Sequence, residues 1–407
     1  MLVGISMSTD STLPRKILVI DDDVSVTNQI EKLVKNHGIA VEKASNFESA
    51  IYKFNQIRFD VVLVELEFEE LPGTIMVQKF RSSLFDGKKE VPIVMLTGIQ
   101  RSANEESLMT ELGDVLVITK PVSLGGLLGV LSKAMQNSQS RASFNEIRYK
   151  IVDPLLNQGK VDKVYQVCKD KLMPLGIHGK HEAAMIFAKI GKIEESLQLL
   201  DELHKQEPNN MKYLNDMARL SVQSGDLAKA RVLYEKADAI APSNLHRITE
   251  MAGLYLAMKE PIKSIEKYSE LIAFSPENKE LKFDVYQKLF DGGFEEHARD
   301  FSKQTSTPAE LIKHFNNKGV MLSKTLDFDS AISEYSRARG LIPGDKDLYR
   351  ILYNMAIAHI NKKTRNDILK AHELLLEVKK MKPTFEKASE KLELTNKLLS
   401  LGQKSAG

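Results

Sequence analysis

The chain has 407 residues, 43% of them hydrophobic and 28% charged, with a formal net charge of +2. That length calls for two or three domains, or a domain plus an array, and the composition excludes the disordered, collagenous and disulfide-rich classes. The charge is uneven, 14 Lys and Arg against 18 Asp and Glu in residues 1–140 and a basic excess beyond them, but neither excess is concentrated enough to argue for nucleic acid.

Cys168 is the only cysteine, so neither an intrachain disulfide nor a thiolate metal cluster can form. No apolar run approaches the 18 or so residues of a membrane span. MLVGISMSTDSTLPRK has no basic lead and only a short apolar run, which does not suit a secretory signal. A cytoplasmic setting without membrane insertion is therefore expected.

Residues 1–14 are expected to be a flexible N-terminal segment. From there the sequence alternates strand and helix patterns. Ile17–Ile20, Val61–Val64, Ile93–Leu96 and Val115–Ile118 are short continuous apolar runs, the pattern of strands buried on both faces of a parallel sheet. Val41–Ala44 is a weaker fifth. Between them Val26, Ile30, Leu33 and Val34 recur at helical spacing, as do Phe47, Ala50, Ile51 and Phe54. The alternation predicts a doubly wound α/β domain over 15–137, whose ligands collect beyond the carboxyl ends of the strands. The polar, small NSQSRAS stretch marks a linker at 138–143.

Beyond it the strand runs disappear and helical spacing takes over, over residues 144–383. Pro174, Pro208, Pro242 and Pro276 lie 34 residues apart, and Pro308, Pro343 and Pro383 continue the series. A period of 34 is the tetratricopeptide length. Ala218, Gly225, Ala230, Tyr234 and Ala237 fall in register with one proline, and Gly319, Ala331, Tyr335 and Ala338 with another. Ala252, Tyr255 and Tyr268, and Ala184, Phe187 and Gly191, do so in two more. Small residues let antiparallel helices approach, an aromatic fills the remaining gap, and proline ends the second helix. About seven tetratricopeptide-like repeats forming an all-α solenoid are predicted, with a capping helix and tail at 384–407 covering the apolar end.

Three strand ends carry a further pattern. ILVIDDD puts Asp21 and Asp22 after the first strand, IVMLTG puts Thr97 after the fourth, and ITKP puts Lys120 before Pro121 after the fifth. With this constellation the α/β half resembles the receiver domain of two-component response regulators, a CheY-like, flavodoxin-type fold. The resemblance implies that Asp21 and Asp22 bind Mg²⁺, that Thr97 is the hydroxyl switch and that Lys120 is the ion-pairing lysine. The chemistry suits such a set, because a phosphoryl group arriving on a carboxylate builds charge that metal, lysine and hydroxyl offset. Acidic residues also favour helix starts, which is the plainer account of the DDD run.

The family's third strand ends in the phosphoryl-accepting aspartate, five residues after another aspartate. Here the segment runs from Asp60 to Glu65, so glutamate holds the acceptor position, and Val117 holds the position of the family's aromatic switch. The extra methylene moves the carboxylate by more than about an ångström, a misplacement that costs on the order of 100-fold. Three readings of Glu65 stay open. It is a fixed mimic of the phosphorylated state, a relic in a domain kept for docking, or a slow acceptor.

The remaining candidates are minor. His178 and His181 could share a helical face, but HGKH reads as a turn before a helix and no third ligand is near. Glycines 125, 126 and 129 weaken the domain's last helix, which leaves the oligomeric state open. In tetratricopeptide proteins the first helix of each pair lines a groove, and carried over, this gives Lys212, Asn215, Arg219, Lys313 and Asn316, a set suited to an acidic segment or a carboxylate.

The expected protein is a bacterial-type signalling adaptor, not an enzyme, binding protein partners such as a sensor kinase or another response regulator through its array. A phosphorylation-switched regulator with the array as output is the alternative. Capture of the acidic receiver by its own array is a further possibility.

Overall fold

The computed structural model describes residues 13–82, 90–98, 101–113 and 115–404. The expected flexible segment lies, up to residue 12, outside the described residues, as does the tail beyond 404. The chain divides into two compact units, Met1–Leu254 and Tyr255–Gly407.

The first unit opens on a parallel sheet in the order β2-β1-β3-β4-β5. Its strands are β1 (Lys16–Ile20), β2 (Ala40–Ala44), β3 (Val61–Glu65), β4 (Ile93–Thr97) and β5 (Val115–Thr119). β3 and β4 are buried along their whole length and β1 beyond Lys16, as continuous apolar runs require. β2 and β5 are the half-buried edges. Helices α1 (Val24–Val34), α2 (Phe47–Gln56), α3 (Gly73–Arg81), α4 (Ala103–Glu111) and α5 (Leu124–Ile147) cover the two faces, giving two apolar cores.

One boundary differs from the sequence reading. The expected linker at 138–143 is helical, since α5 runs without interruption from Leu124 to Ile147. The stretch is polar but contains neither Gly nor Pro, and Ser, Gln, Arg and Ala do not break a helix already nucleated upstream. The glycines near its start do not stop it either, and Ser123 caps it by accepting from Gly126 N at 3.2 Å.

The stretch expected as the first repeat is irregular. A π turn (Arg148–Val152), α6 (Asp153–Asn157), α7 (Val161–Val167), a second π turn (Cys168–Leu172) and a 3₁₀ turn (Met173–Leu175) follow α5. Pro154, Gly159, Pro174 and Gly176 punctuate it, each removing an amide donor or admitting a non-helical backbone. Regular helices begin with α8 (Ile177–Lys189), α9 (Ile193–Gln206), α10 (Lys212–Gln223) and α11 (Leu227–Ile240). Pro208 and Pro242 stand just past the ends of α9 and α11, as read from the spacing. Between α10 and α11 the chain turns at Gly225, with φ 84°, a conformation that costs glycine nothing. α12 (Leu245–Ala257) runs across the division between the units.

The second unit continues with α13 (Pro261–Ala273), α14 (Lys279–Asp291), α15 (Glu295–Thr305), α16 (Pro308–Lys324), α17 (Phe328–Leu341), α18 (Tyr349–Lys362), α19 (Arg365–Met381) and α20 (Glu386–Lys404). Pro276, Pro343 and Pro383 follow helix ends, but Pro308 starts one. It occupies the first position of α16, behind a capping box of Thr307 and Glu310, where its missing donor leaves nothing unsatisfied. Gly319 allows a close approach, because a Cβ there would run into the Tyr335 ring. α20 packs on α19. Phe385, just before it, packs edge-on to Tyr349 and Tyr353, and Thr395 Oγ1 lies 2.9 Å from His372 Nδ1.

Candidate functional site

β1 and β3 are neighbours whose connections leave in opposite directions along the sheet, so a crevice opens beyond their carboxyl ends. Parallel register brings Ile20 level with Val64, and Glu65 level with Leu96. The strand ends therefore bring Asp21, Glu65, Thr97 and Lys120 to one rim. Lys120 is fixed by its backbone, N–H donating to Thr97 O at 2.8 Å.

The DDD run divides into three roles. Asp23 caps α1, accepting from Ser25 N at 2.8 Å, so the helix-start account holds for this residue. Asp21 is fully buried, and one carboxylate oxygen accepts from Asp23 N at 3.0 Å. Asp22 is exposed and turned across the crevice, accepting from Glu69 N at 2.9 Å. Asp60, at the start of β3, accepts from Arg15 N and Lys16 N and secures the opposite end of β1.

Glu65 reaches Lys120. The Lys120 ammonium forms an ion pair with Asp21 Oδ2 at 2.8 Å and a closer one with Glu65 Oε2. Glu65 is 4% exposed, and its other oxygen faces Glu67 N at 3.3 Å. Two buried carboxylates thus share one cation. Burial pushes the Asp21 carboxyl up to about 6, against the opposing pull of Lys120. For Lys120 burial disfavours the charge, but the hydrogen bonds it donates to Asp21 and Glu65 overcome it and raise the pKa. Thr97 is buried at the end of β4. Val117 is half-buried beside the receiver core and lines a cleft of ≈ 1130 Å³ together with Arg101, His178, Lys212 and Tyr213.

Asp21 and Asp22 offer the hard oxygen donors that Mg²⁺ takes. Asp21 Oδ2 and Glu65 Oε2 face the Lys120 ammonium, and carboxylate oxygens of this kind fit a divalent ion. Such an ion would compete with Lys120 for both deep carboxylates.

The groove residues separate. Lys212 is exposed on α10 and Lys313 on α16. Asn316 accepts from Asn354 Nδ2 at 2.7 Å. Arg219 is spent within its own helix on Asp216, which His181 Nε2 also contacts at 2.6 Å. Burial opposes charge on Asp216, yet the hydrogen bond and charge of His181, with Arg219, hold its carboxyl below the usual range. His178 and His181 lie in the first turns of α8, not in a turn before it, and His181 staples α8 to α10. Asn215 is taken up within the chain. It is buried, its Nδ2 donating to Glu111 Oε1 at the end of α4. Cys168 is buried, and burial pushes its thiol up to about 11. Among the described residues no group of three or more His, Cys, Asp or Glu could hold a metal ion, and no helix is long and apolar enough to cross a membrane.

A parallel sheet of this order, with acids at the carboxyl ends of β1 and β3 and a lysine after β5, defines a receiver domain, and the family described as the response regulator receiver domain matches residues 17–132. The domain implies two-component signalling, and the helical region after it fits a tetratricopeptide fusion. Over 136 residues the chain is 28% identical to the transcriptional regulatory protein ResD of Bacillus subtilis, covering 33% of this chain and 54% of that protein. The chemotaxis response regulator CheY4 of Vibrio cholerae is 26% identical, with a TM-score of 0.27, over 29% of this chain and 97% of that one. A tetratricopeptide repeat protein from Parabacteroides merdae is 13% identical, with a TM-score of 0.34, over 62% of this chain and 99% of that one. The chain spans 54% of ResD and 31% of BBSome complex member BBS4 of Bos taurus, well short of the full length of these curated relatives.

Proposed function

We propose that the chain is a non-enzymatic, bacterial-type signalling adaptor whose receiver is held in one charge state and whose repeats bind proteins. The observation that carries this reading is the Lys120 ammonium, already engaged by Glu65 and Asp21. Glutamate is long enough to bring its own anion to the lysine that a phosphoryl oxygen would otherwise meet. The charge is then permanent, where an acyl phosphate would be transient. In this reading Glu65 and Lys120 form the pair, Thr97 closes the site, and Asp21 with Asp22 would hold Mg²⁺ only weakly, since Lys120 already neutralises part of the donor set. Partners are proteins, with a sensor kinase or another response regulator as candidates.

The second reading is a phosphorylation-switched regulator, favoured by the intact assembly of Asp21, Asp22, Thr97 and Lys120 around the acceptor position. Intact mass after incubation with Mg²⁺ and a small acyl phosphate separates the two. No added phosphoryl group is expected on the native chain. A gain that disappears in Glu65→Gln would overturn the fixed-charge reading. The array half is tested by capture on residues 144–407 presented within the full chain, with partners identified by mass spectrometry and mapped by crosslinks to the repeats. Crosslinks confined to the receiver would overturn it.

A further inference from the structure

α4 is the element that receiver and repeats share. Its sequence, ANEESLMTE, has no single apolar stripe, because it is buried on two sides. Met109 lies in the receiver core with Val62, Val64 and Met95. Leu108, one residue earlier, lies in a core with Phe187, Leu214 and Met217 of the repeats. Ser102 and Glu105 cap the helix reciprocally, so its far end is set in direction.

At that end stands Glu111, 7% exposed. Arg247 Nη1 donates to both of its oxygens, at 2.8 and 3.0 Å, and Asn215 and Asn244 add side-chain hydrogen bonds. Arg247 is itself fully buried, its Nε donating to Asp238 Oδ1 at 3.2 Å and its Nη2 to Ala241 O. Its own N–H donates to Asn244 Oδ1 at 3.0 Å. Three successive repeat helices, α10, α11 and α12, thus supply a preformed carboxylate holder, and the receiver supplies the carboxylate. A second contact sets the docking angle. Gln78 of α3 donates to Ser243 O at 2.8 Å and accepts from Leu245 N at 2.6 Å, pairing with the backbone at the start of α12.

We infer that Asn215, Asn244 and Arg247 form a carboxylate-recognition site on the repeats, that the receiver's Glu111 fills it in cis, and that the site takes an acidic partner helix carrying Leu at i and Glu at i+3 when the receiver is displaced. The energetics favour exchange over opening. A buried ion pair returns little beyond its desolvation cost, but leaving either member alone is expensive. Departure of Glu111 without replacement strands a buried guanidinium, whereas replacement by another carboxylate is nearly neutral. The tether sets the threshold, because a tethered ligand competes at an effective concentration on the order of millimolar. The inference rests on the reading of the repeats as a protein-binding array, and on no reading of Glu65.

The test is fluorescence polarisation of a labelled peptide of residues 101–113, added to the full chain. Native protein should bind it weakly. Glu111→Gln, which weakens the resident ligand, should bind it about tenfold or more tighter, and adding Arg247→Met should abolish the gain. Equal affinity in native protein and Glu111→Gln, or a gain that survives Arg247→Met, overturns the inference. If Glu111→Gln loses its native circular dichroism, Gln78→Ala replaces it, since it loosens docking without removing a holder side chain. A several-fold gain is then expected, and no gain overturns the inference. Because partner capture by native protein tests the array reading separately, a failed titration removes this inference alone.

Discussion

Two buried ionic networks lie in the same unit, and they differ in the cation. At the strand ends two carboxylates share Lys120, a single ammonium whose side chain is 23% exposed on a flexible stem. Between receiver and repeats Glu111 and Asp238 share Arg247, whose side chain is wholly buried and whose planar fork is held on both edges. An ammonium is a point charge that water, a metal ion or a phosphoryl group can displace. A guanidinium locked by several hydrogen bonds is geometry as much as charge. The first network suits a site that meets ligands, the second a joint that must hold a register.

Removing the cation is the strongest way to break this comparison. Arg247→Met should cost about 3–5 kcal/mol, because Glu111 would be left buried without a counter-charge. Urea denaturation of the full chain reads this, and a loss under about 1 kcal/mol would mean that the joint is not held as described. At the strand ends the sign reverses. The Asp21 carboxyl titrates near 6 in the folded protein against an ordinary 3.8. Between those values the folded state holds a proton that the unfolded chain has released, so the contribution of Asp21 to stability is highest below about pH 4 and falls as the pH rises to 6. The loss is at most about 3 kcal/mol. Asp21→Asn should flatten that slope and raise stability at pH 7 by about 1–2 kcal/mol. A destabilised variant would show that Lys120 repays both carboxylates in full.

Smaller effects sharpen the contrast. Gln78→Ala should cost about 1–2 kcal/mol, since it strips two hydrogen bonds and orphans Leu245 N, and amide exchange should rise at the start of α12 while the strand ends stay protected. Glu65→Asp should change stability little, but shorten the acid enough to free Lys120. Mass gain from a small acyl phosphate in this variant, and none in the native chain, is the expected outcome.

Much of this fold was legible from local pattern. The apolar runs located the strands to within a residue or so at each end, and the strand ends carried the pocket because topology converges them wherever the order is that of a receiver. The proline register located most helix ends, except where Pro308 serves as a start. The linker at 138–143 was misread because polar composition resembles a boundary, although nothing in it stops a helix. Asn215 reads as a groove position open to a partner's carboxylate, whereas the chain's own Glu111 occupies it, since helical spacing says which residues share a face but not what covers that face.

The sequence by itself determined the parallel sheet, the repeat spacing and the acid, hydroxyl and lysine at the strand ends, because each is a short-range signal repeated along the chain. Only the tertiary structure decided that Glu65 spans the gap to Lys120, that DDD splits into a buried acid, an exposed acid and a helix cap, and that Arg247 closes on Glu111 across 136 residues of chain. Such pairs leave no periodic trace. Their partners are chosen by packing, which brings side chains together with no regard for their separation in sequence.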